Sequence, residues 1–270
     1  MGSATGQRAE LDKSGRAIRE MFAGVAPRYD LLNRLISGFL DEGWRRRAAA
    51  VVDEAPPGPI LDLCAGTGDQ ARAVHRRGRR VAAADFTLPM LVLARRKLRA
   101  LGEPRPAPLA ADALALPFRG GAFAGAVVSF GLRNVADLDR SLAELAGATA
   151  RGGRLVVLEA AVPRNRLVRF GHRLWCRWIL PWLGRRLSPR AAAYEYLPAS
   201  VLEFPQREAF LARMAAAGFT DLAWRELVFG SVCLYKGTRR QGAPPALRRE
   251  GEGDREEEEV EVEVEVEVTG

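Results

Sequence analysis

The sequence predicts an α/β fold: a mostly parallel, seven-stranded sheet with helices on both faces, closed by an antiparallel hairpin. Three observations carry that expectation. After the breaker run Pro56-Pro57-Gly58-Pro59, short apolar runs alternate with longer stretches of helical periodicity, the pattern of a parallel sheet covered on both sides. The first apolar run ends in a glycine turn, Gly66-Thr67-Gly68, that opens a helix. The last two runs follow one another with only a turn between them.

Along the chain, residues 14–55 read as helical. Ile18, Met21, Phe22 and Val25, then Leu31, Leu32, Leu35, Ile36 and Phe39, recur at three- and four-residue steps, and Pro27 divides the segment into two helices. Strands are expected at 60–64, 80–84, 107–110, 122–130 and 154–159, with helices at 69–77, 88–101 and 138–150 between them. Residues 207–217 form a further helix closed by Gly218, and the hairpin strands are 219–227 and 230–237. The organisation is then an N-terminal helical cap (1–55), one α/β domain (56–240) and a tail (241–270). From Val260 to Val268 that tail alternates valine and glutamate, and its low complexity and like charge predict disorder.

With 270 residues, 48% of them hydrophobic, the chain can bury one full core. Cys64, Cys176 and Cys233 are odd in number and far apart, which argues against a disulfide framework and for a reducing compartment. His75 and His172 stand in no zinc-binding spacing and in no nucleophile–histidine arrangement, so the expected chemistry uses neither a metal nor a histidine base. No run of about 18 apolar residues and no secretory pattern occurs, which predicts a cytoplasmic protein. The net charge of +8 conceals an asymmetry: residues 241–270 hold 3 Arg and 11 Asp or Glu, leaving 38 basic and 22 acidic residues before them. Such a body suits an anionic partner, whether nucleic acid, lipid headgroups or an acidic substrate. Nucleic acid is set aside, because no basic stretch with interleaved stacking aromatics accompanies a recognisable RNA-binding module.

The segment Ile60 to Asp69 is a strand running into a tight turn and a helix start. Its glycines let a ligand approach the backbone, and the helix amides favour a carboxylate or phosphate. Read as text, Gly66-x-Gly68-x-x-Ala71, with Asp85 placed 19 residues after Gly66 to hold a ribose diol, satisfies a dinucleotide fingerprint as well as a methyl-donor loop. Two features favour S-adenosylmethionine. Asp62 and Asp69 would repel a pyrophosphate but tolerate a sulfonium with an ammonium group. Asp112-Ala113 follows the third strand, where an acid can reach an adenine amino group. The plainer alternatives are a helix cap for Asp69, a solvated loop carboxylate for Asp112 and a turn-organising buried acid for Asp62.

The sequence also resembles the ubiquinone/menaquinone biosynthesis C-methyltransferases, the UbiE/MenG family, from about Ile18 to Lys236. The resemblance runs through Arg28-Tyr29-Asp30-Leu31-Leu32-Asn33, Gly66-Thr67-Gly68-Asp69, Asp85-Phe86, Asp112-Ala113 and Ser129-Phe130-Gly131-Leu132-Arg133-Asn134-Val135. It continues through Leu158-Glu159, Tyr196-Leu197-Pro198-Ala199-Ser200 and Ala217-Gly218-Phe219. The glycine loop is common to many methyltransferases, whereas the Phe-Gly-Leu-Arg-Asn and Tyr-Leu-Pro-x-Ser segments are far more specific. Ala124 after Phe123, and Ala160-Ala161 after Leu158-Glu159, depart from the family pattern, which bears on the acceptor more than on the cofactor. The resemblance implies a Rossmann-like class I methyltransferase that transfers a methyl group from S-adenosylmethionine to a ring carbon of a polyprenyl quinol. Cofactor contacts are then expected at Asp62, Gly66, Thr67, Gly68, Asp85, Phe86, Asp112, Ala113 and Ser129. Tyr29, Arg133 and Asn134 would face the acceptor, Arg133 stabilising a phenolate; an ordinary surface or salt-bridged arginine is the alternative there.

Between residues 164 and 190 an insertion carries Leu167, Val168, Phe170, Leu174, Trp175, Trp178, Ile179, Trp182 and Leu183 at helical spacing, beside Arg166, Arg169, Arg173, Arg177, Arg185 and Arg186. That combination suits a helix lying on an anionic membrane, at the inner face of the plasma membrane where a polyprenyl quinol resides. A lid helix or a homodimer contact is the alternative. Two rival functions remain: a methyltransferase of another phenol, sterol or lipid, and a non-catalytic protein using the same sheet.

Overall fold

The computed structural model describes residues 12–179, 192–241 and 265–266. Strand β1 (Ile60–Leu63), buried along its whole length, lies inside the sheet. It pairs in parallel with β2 (Val81–Asp85) and β4 (Phe123–Ser129); β3 (Ala107–Ala110) continues beyond β2, and β5 (Thr149–Ala160) beyond β4. Strand β7 (Val232–Arg239) runs antiparallel to both β5 and β6 (Phe219–Leu227), so the hairpin enters the sheet by its second strand. Within the tail, the two-residue β8 (Glu265–Val266) pairs in parallel with β6, giving the order β3-β2-β1-β4-β5-β7-β6-β8. The rest of the expected disordered tail, apart from Gln241, lies outside the described residues. Strand order reverses between β1 and β4, and the crevice above the carboxyl ends there is where open α/β sheets bind ligands.

The core divides along the two faces of the sheet, as the two-residue period of a strand requires. Leu61, Leu63, Ala126, Val128, Leu155 and Val157 face α6 (Leu138–Ala148) and α9 (Glu208–Ala216), packing with Leu142, Leu145, Phe210 and Met214. Ile60, Ala83, Val127, Val156 and Leu158 face the other way, toward α3 (Asp41–Asp53), α4 (Asp69–His75) and α5 (Leu88–Leu98). Ala48 and Val52 of α3 are fully buried in that second layer, so α3 belongs by packing to the sheet, although the sequence reading groups it with the cap.

The N-terminal segment forms three helices where two were expected. Pro27 sits in a single 3-10 turn (Ala26–Arg28) between α1 (Gly15–Val25) and α2 (Tyr29–Ile36). A second break follows at Ser37 to Leu40, where Gly38 and Phe39 both take left-handed backbone. Strand β5 also begins earlier than expected, at Thr149, because the left-handed Gly152 and a bulge opposite Phe123–Gly125 let the chain pair directly after α6. Asn165 caps α7 (Arg166–Leu174) by accepting from the N–H groups of Leu167 and Val168, and the helix continues as a wide π turn (Trp175–Ile179). Trp182, Leu183, Arg185 and Arg186 of the insertion lie outside the described residues. Helix α8 (Ala192–Glu203) is not announced by the sequence, because its interior Pro198 argues against a helix. Among the described residues no helix is long and apolar enough to cross a membrane.

Candidate active site

The carboxyl ends of β1, β2 and β4 open onto a cleft whose empty space, open solvent included, is about 910 Å³. Strand β1 ends because Cys64 turns left-handed, and Gly66 and Gly68 follow it at positive φ. Gly68 is needed twice over: at φ +85° it caps α4, and a Cβ there would press on Leu98 at 3.1 Å. Gly131, after β4, is needed for close approach, since a Cβ would collide with Cys64.

Asp85, at the end of β2, organises the turn. Its Oδ2 accepts from the Gly66 N–H at 2.8 Å and its Oδ1 from the Thr87 N–H at 2.8 Å. Burial raises its pKa against those hydrogen bonds. Each oxygen keeps a further lone pair, and Asp85 lines the cavity, so the arrangement fits a vicinal diol. Asp112 also lines the cavity, one oxygen accepting from the Leu114 N–H at 2.9 Å and the other left for an amino group. Gly66, Phe86, Ala113 and Ser129 also line the cavity. The Ser129 hydroxyl donates to Gln70 Oε1 at 2.9 Å, which anchors β4 to α4. Two acids stand at the strand ends, and Lys13, the cationic side chain on the cavity lining, is paired with Glu203 at 3.1 Å, so the site suits an adenosine bearing a positive sulfur better than a pyrophosphate.

Three expected cofactor residues stand behind the wall. Thr67 donates to Asp30 Oδ1 at 2.5 Å, and Lys97 Nζ bonds Asp30 Oδ2 at 2.7 Å, Thr67 Oγ1 at 3.1 Å and Asp69 Oδ1 at 2.7 Å. This network staples α2 and α5 to the cofactor loop, and Asp69 is an ion-pair partner within it. Burial works to raise the pKa of Asp69, but Lys97, with Arg45 and Arg72, outweighs it and holds the carboxyl low. Gly68 contributes packing. Asp62 is 1% exposed beneath the loop, and neither carboxylate oxygen has a hydrogen-bond partner of good geometry. Its pKa is pushed up to about 8 by burial, which the charge of Arg45 and the Ala71 N–H offset only in part.

The sign of the Asp62 effect follows from that shift. The folded protein holds the proton more tightly than the unfolded chain, so this contribution to stability is full below about pH 4 and is lost as pH rises to about 8. Asp62→Asn mimics the protonated acid. In urea titrations its stability advantage over the parent is expected to grow steadily between pH 5 and 8; a pH-independent difference would reject the assignment.

Of the residues expected to face an acceptor, Tyr29 and Asn134 line the cavity and Arg133 does not. Tyr29 stands at the start of α2, edge-on to Phe22 with ring centroids 6.0 Å apart, beside Ile18 of α1. Arg133 lies in the 3-10 turn Leu132–Asn134 and is buried with Glu159 of β5. Its Nη1 donates to Glu159 Oε1 at 2.5 Å and to the Phe130 carbonyl at 2.6 Å, and its backbone N–H to Glu159 Oε2 at 3.4 Å. The structure therefore places Arg133 as the salt-bridged support of the Phe130–Asn134 segment rather than on the cavity wall. Ile18, Phe22, Asp30, Gln70 and Lys97 are site or support residues not singled out for those roles by the sequence; the apolar spacing of α1 signalled Ile18 and Phe22, the Arg28–Asn33 segment contained Asp30, and nothing signalled Gln70 or Lys97. No group of His, Cys, Asp or Glu suited to a metal occurs among the described residues.

The model of the ubiE/COQ5 methyltransferase family matches residues 9–239. A demethylmenaquinone methyltransferase of Thermus thermophilus is 48% identical over 222 residues, covering 81% of this chain and all of that one. The ubiquinone/menaquinone biosynthesis C-methyltransferase UbiE of Geobacter sulfurreducens is 38% identical, covering 85% of this chain and 91% of the other. A solved structure from Thermotoga maritima, a SAM-dependent methyltransferase described as a possible histamine N-methyltransferase, superposes with a TM-score of 0.58 at 18% identity, over 83% of this chain and 100% of that one. At that identity the likeness concerns the fold, which is the class I methyltransferase sheet. With a family match along most of its length and an acid at the end of each of two adjacent strands, the chain belongs to the ubiE/COQ5 methyltransferase family and uses S-adenosylmethionine.

Proposed function

We propose that the chain methylates a ring carbon of a polyprenyl quinol, with demethylmenaquinol the favoured acceptor. The observation that carries this reading is the make-up of the cavity: the acids Asp85 and Asp112 share it with an apolar wall of Ile18, Phe22, Tyr29, Met90 and Val135 and a single amide, Asn134. A wall of that kind takes a flat aromatic ring, and the polar groups of Asn134 and Tyr29 orient its hydroxyl. The names of the Thermus thermophilus and Geobacter sulfurreducens relatives support the same acceptor class.

When bound, the cofactor supplies an electrophilic methyl group on a cationic sulfur. Asp85 holds the ribose diol, Asp112 the adenine amino group, and Gly66, Phe86, Ala113 and Ser129 shape the channel, while Asp62, Thr67 and Gly68 fix the loop from behind. A ring carbon becomes nucleophilic as its neighbouring hydroxyl loses a proton, and Asn134 and Tyr29 orient that hydroxyl. The charge of Arg133 favours the phenolate from behind the wall, and its hydrogen bond keeps the Phe130 carbonyl and Asn134 in place. Helices α1 and α2 cover the site and exclude water. Tritium transfer from labelled cofactor to a reduced short-chain naphthoquinol tests the reading, with benzoquinol and RNA as controls. Transfer to the naphthoquinol is expected; cofactor binding with no methylation of any of them would leave a non-catalytic binding protein.

The same acceptor calls for contact with a lipid surface. Leu167, Phe170 and Trp178 of α7 and its π turn are 79%, 61% and 65% exposed, flanked by Arg166, Arg169, Arg173 and Arg177. An apolar stripe with a basic flank suits the interface of an anionic membrane, where the polyprenyl tail dissolves. The protein is expected to float with phosphatidylglycerol liposomes and to lose about tenfold or more in partitioning when Leu167 and Phe170 become serine. A lack of flotation together with a concentration-dependent dimer in sedimentation would assign this face to a homodimer instead.

A further inference from the structure

Three polar atoms around the turn Leu132–Asn134 are buried without a hydrogen-bond partner: Arg133 Nε, Asn134 Oδ1 and the Tyr196 hydroxyl. Tyr196 belongs to α8, which packs directly against that turn. A buried polar atom left unpaired costs about 1–3 kcal/mol, and folded proteins keep few of them without a reason. Of the three residues only Asn134 lines the cavity, and Arg133 and Tyr196 stand behind it; three unpaired atoms in one place point to a ligand that reaches past that wall. Burial pushes the Tyr196 hydroxyl up to about 12 against the nearby charge of Arg133, so Tyr196 is a neutral O–H donor at any working pH.

The atoms are also complementary in kind. Arg133 Nε–H and Tyr196 O–H are donors lacking acceptors, whereas Asn134 Oδ1 is an acceptor lacking a donor. A ring hydroxyl on its way to an oxyanion needs this set: an acceptor for its proton at the start, and donors for its oxygen once the proton has left for solvent.

We propose that Tyr196 donates a hydrogen bond to the acceptor's ring oxygen next to the reacting carbon, an inference that rests on the acceptor class proposed above. Tyr196 is then a catalytic residue, approaching the oxygen from α8 while Asn134 approaches it from the turn.

Tyr196→Phe removes the hydroxyl and keeps the ring. A hydroxyl that supports the fold and one that waits for a ligand respond in opposite ways. For the ligand role, Tm is expected to stay level or rise, because an unsatisfied group has been removed, and cofactor affinity is unchanged. Meanwhile kcat with the naphthoquinol falls by about 10- to 100-fold, and the acidic limb of the kcat–pH profile moves to higher pH. Turnover within twofold of the parent overturns the proposal, as does a loss of Tm in parallel with kcat. Should the parent protein methylate no quinol at all, the acceptor class fails. The contact of Tyr196 is then read from anaerobic calorimetry with 1,4-naphthalenediol, where equal affinity for parent and Tyr196→Phe rejects it.

Discussion

Asp85→Ala is expected to weaken S-adenosylmethionine binding by about 100-fold or more, with the loss appearing in the cofactor KM and far less in kcat at saturation. Two separable effects combine. A buried carboxylate bonded to both hydroxyls of a diol is worth about 1.5–3 kcal/mol per charged hydrogen bond, so losing one such bond already costs more than tenfold. The same carboxylate accepts from Gly66 N–H and Thr87 N–H, so its removal also frees the turn that shapes the channel. Asp85→Asn separates the two effects. An amide oxygen can still accept one of the two N–H bonds, but the amide nitrogen then faces the other as donor against donor, so an intermediate loss with a softened loop is expected. Isothermal titration of the three proteins with cofactor measures this; Asp85→Ala binding within fivefold of the parent would remove the residue from the cofactor site.

The sheet was legible because strand identity is a local property here. Buried parallel strands are short apolar runs, and β3 and β6 fall at the residues their runs predicted. Boundaries slipped where a single backbone angle decides them, as at Cys64 and at Gly38–Phe39, since φ at those positions is set by what packs above them. The strand-end acids proposed for the cofactor, Asp85 and Asp112, were legible as cavity residues for a related reason: in this architecture a strand's carboxyl end faces the crevice whatever the rest of the chain does. Thr67 shows where that logic stops. It stands in the loop as expected, but Asp30, 37 residues earlier, and Lys97, 30 residues later, claim its hydroxyl. No spacing in the sequence announces a contact between α2, α5 and the loop. Arg133 is the same case. Its partner Glu159 lies 26 residues away on the neighbouring strand, and only the paired register of β4 with β5 brings them together.

That pairing predicts the largest loss of stability from one substitution. Glu159→Ala is expected to destabilise the fold by about 3–5 kcal/mol, because Glu159 is 1% and Arg133 9% exposed at the side chain. The alanine leaves a guanidinium buried without its counter-charge, and the Arg133 and Ala160 N–H groups lose their acceptor as well. Glu159→Gln is expected to cost less, since the amide oxygen still accepts from the guanidinium. The double replacement Arg133→Met with Glu159→Leu is expected to recover most of the stability, because apolar residues of similar volume often replace a buried ion pair at little cost. It should not recover turnover: the Phe130 carbonyl then loses its hydrogen bond from Arg133, and Asn134, which also bonds that carbonyl at 3.3 Å, loses its fixed place on the cavity wall. Urea unfolding and kcat measured on all four proteins separate the two quantities. A loss below about 1 kcal/mol for Glu159→Ala would mean that water reaches the guanidinium. Restored turnover in the double variant would mean that the pair serves the fold alone.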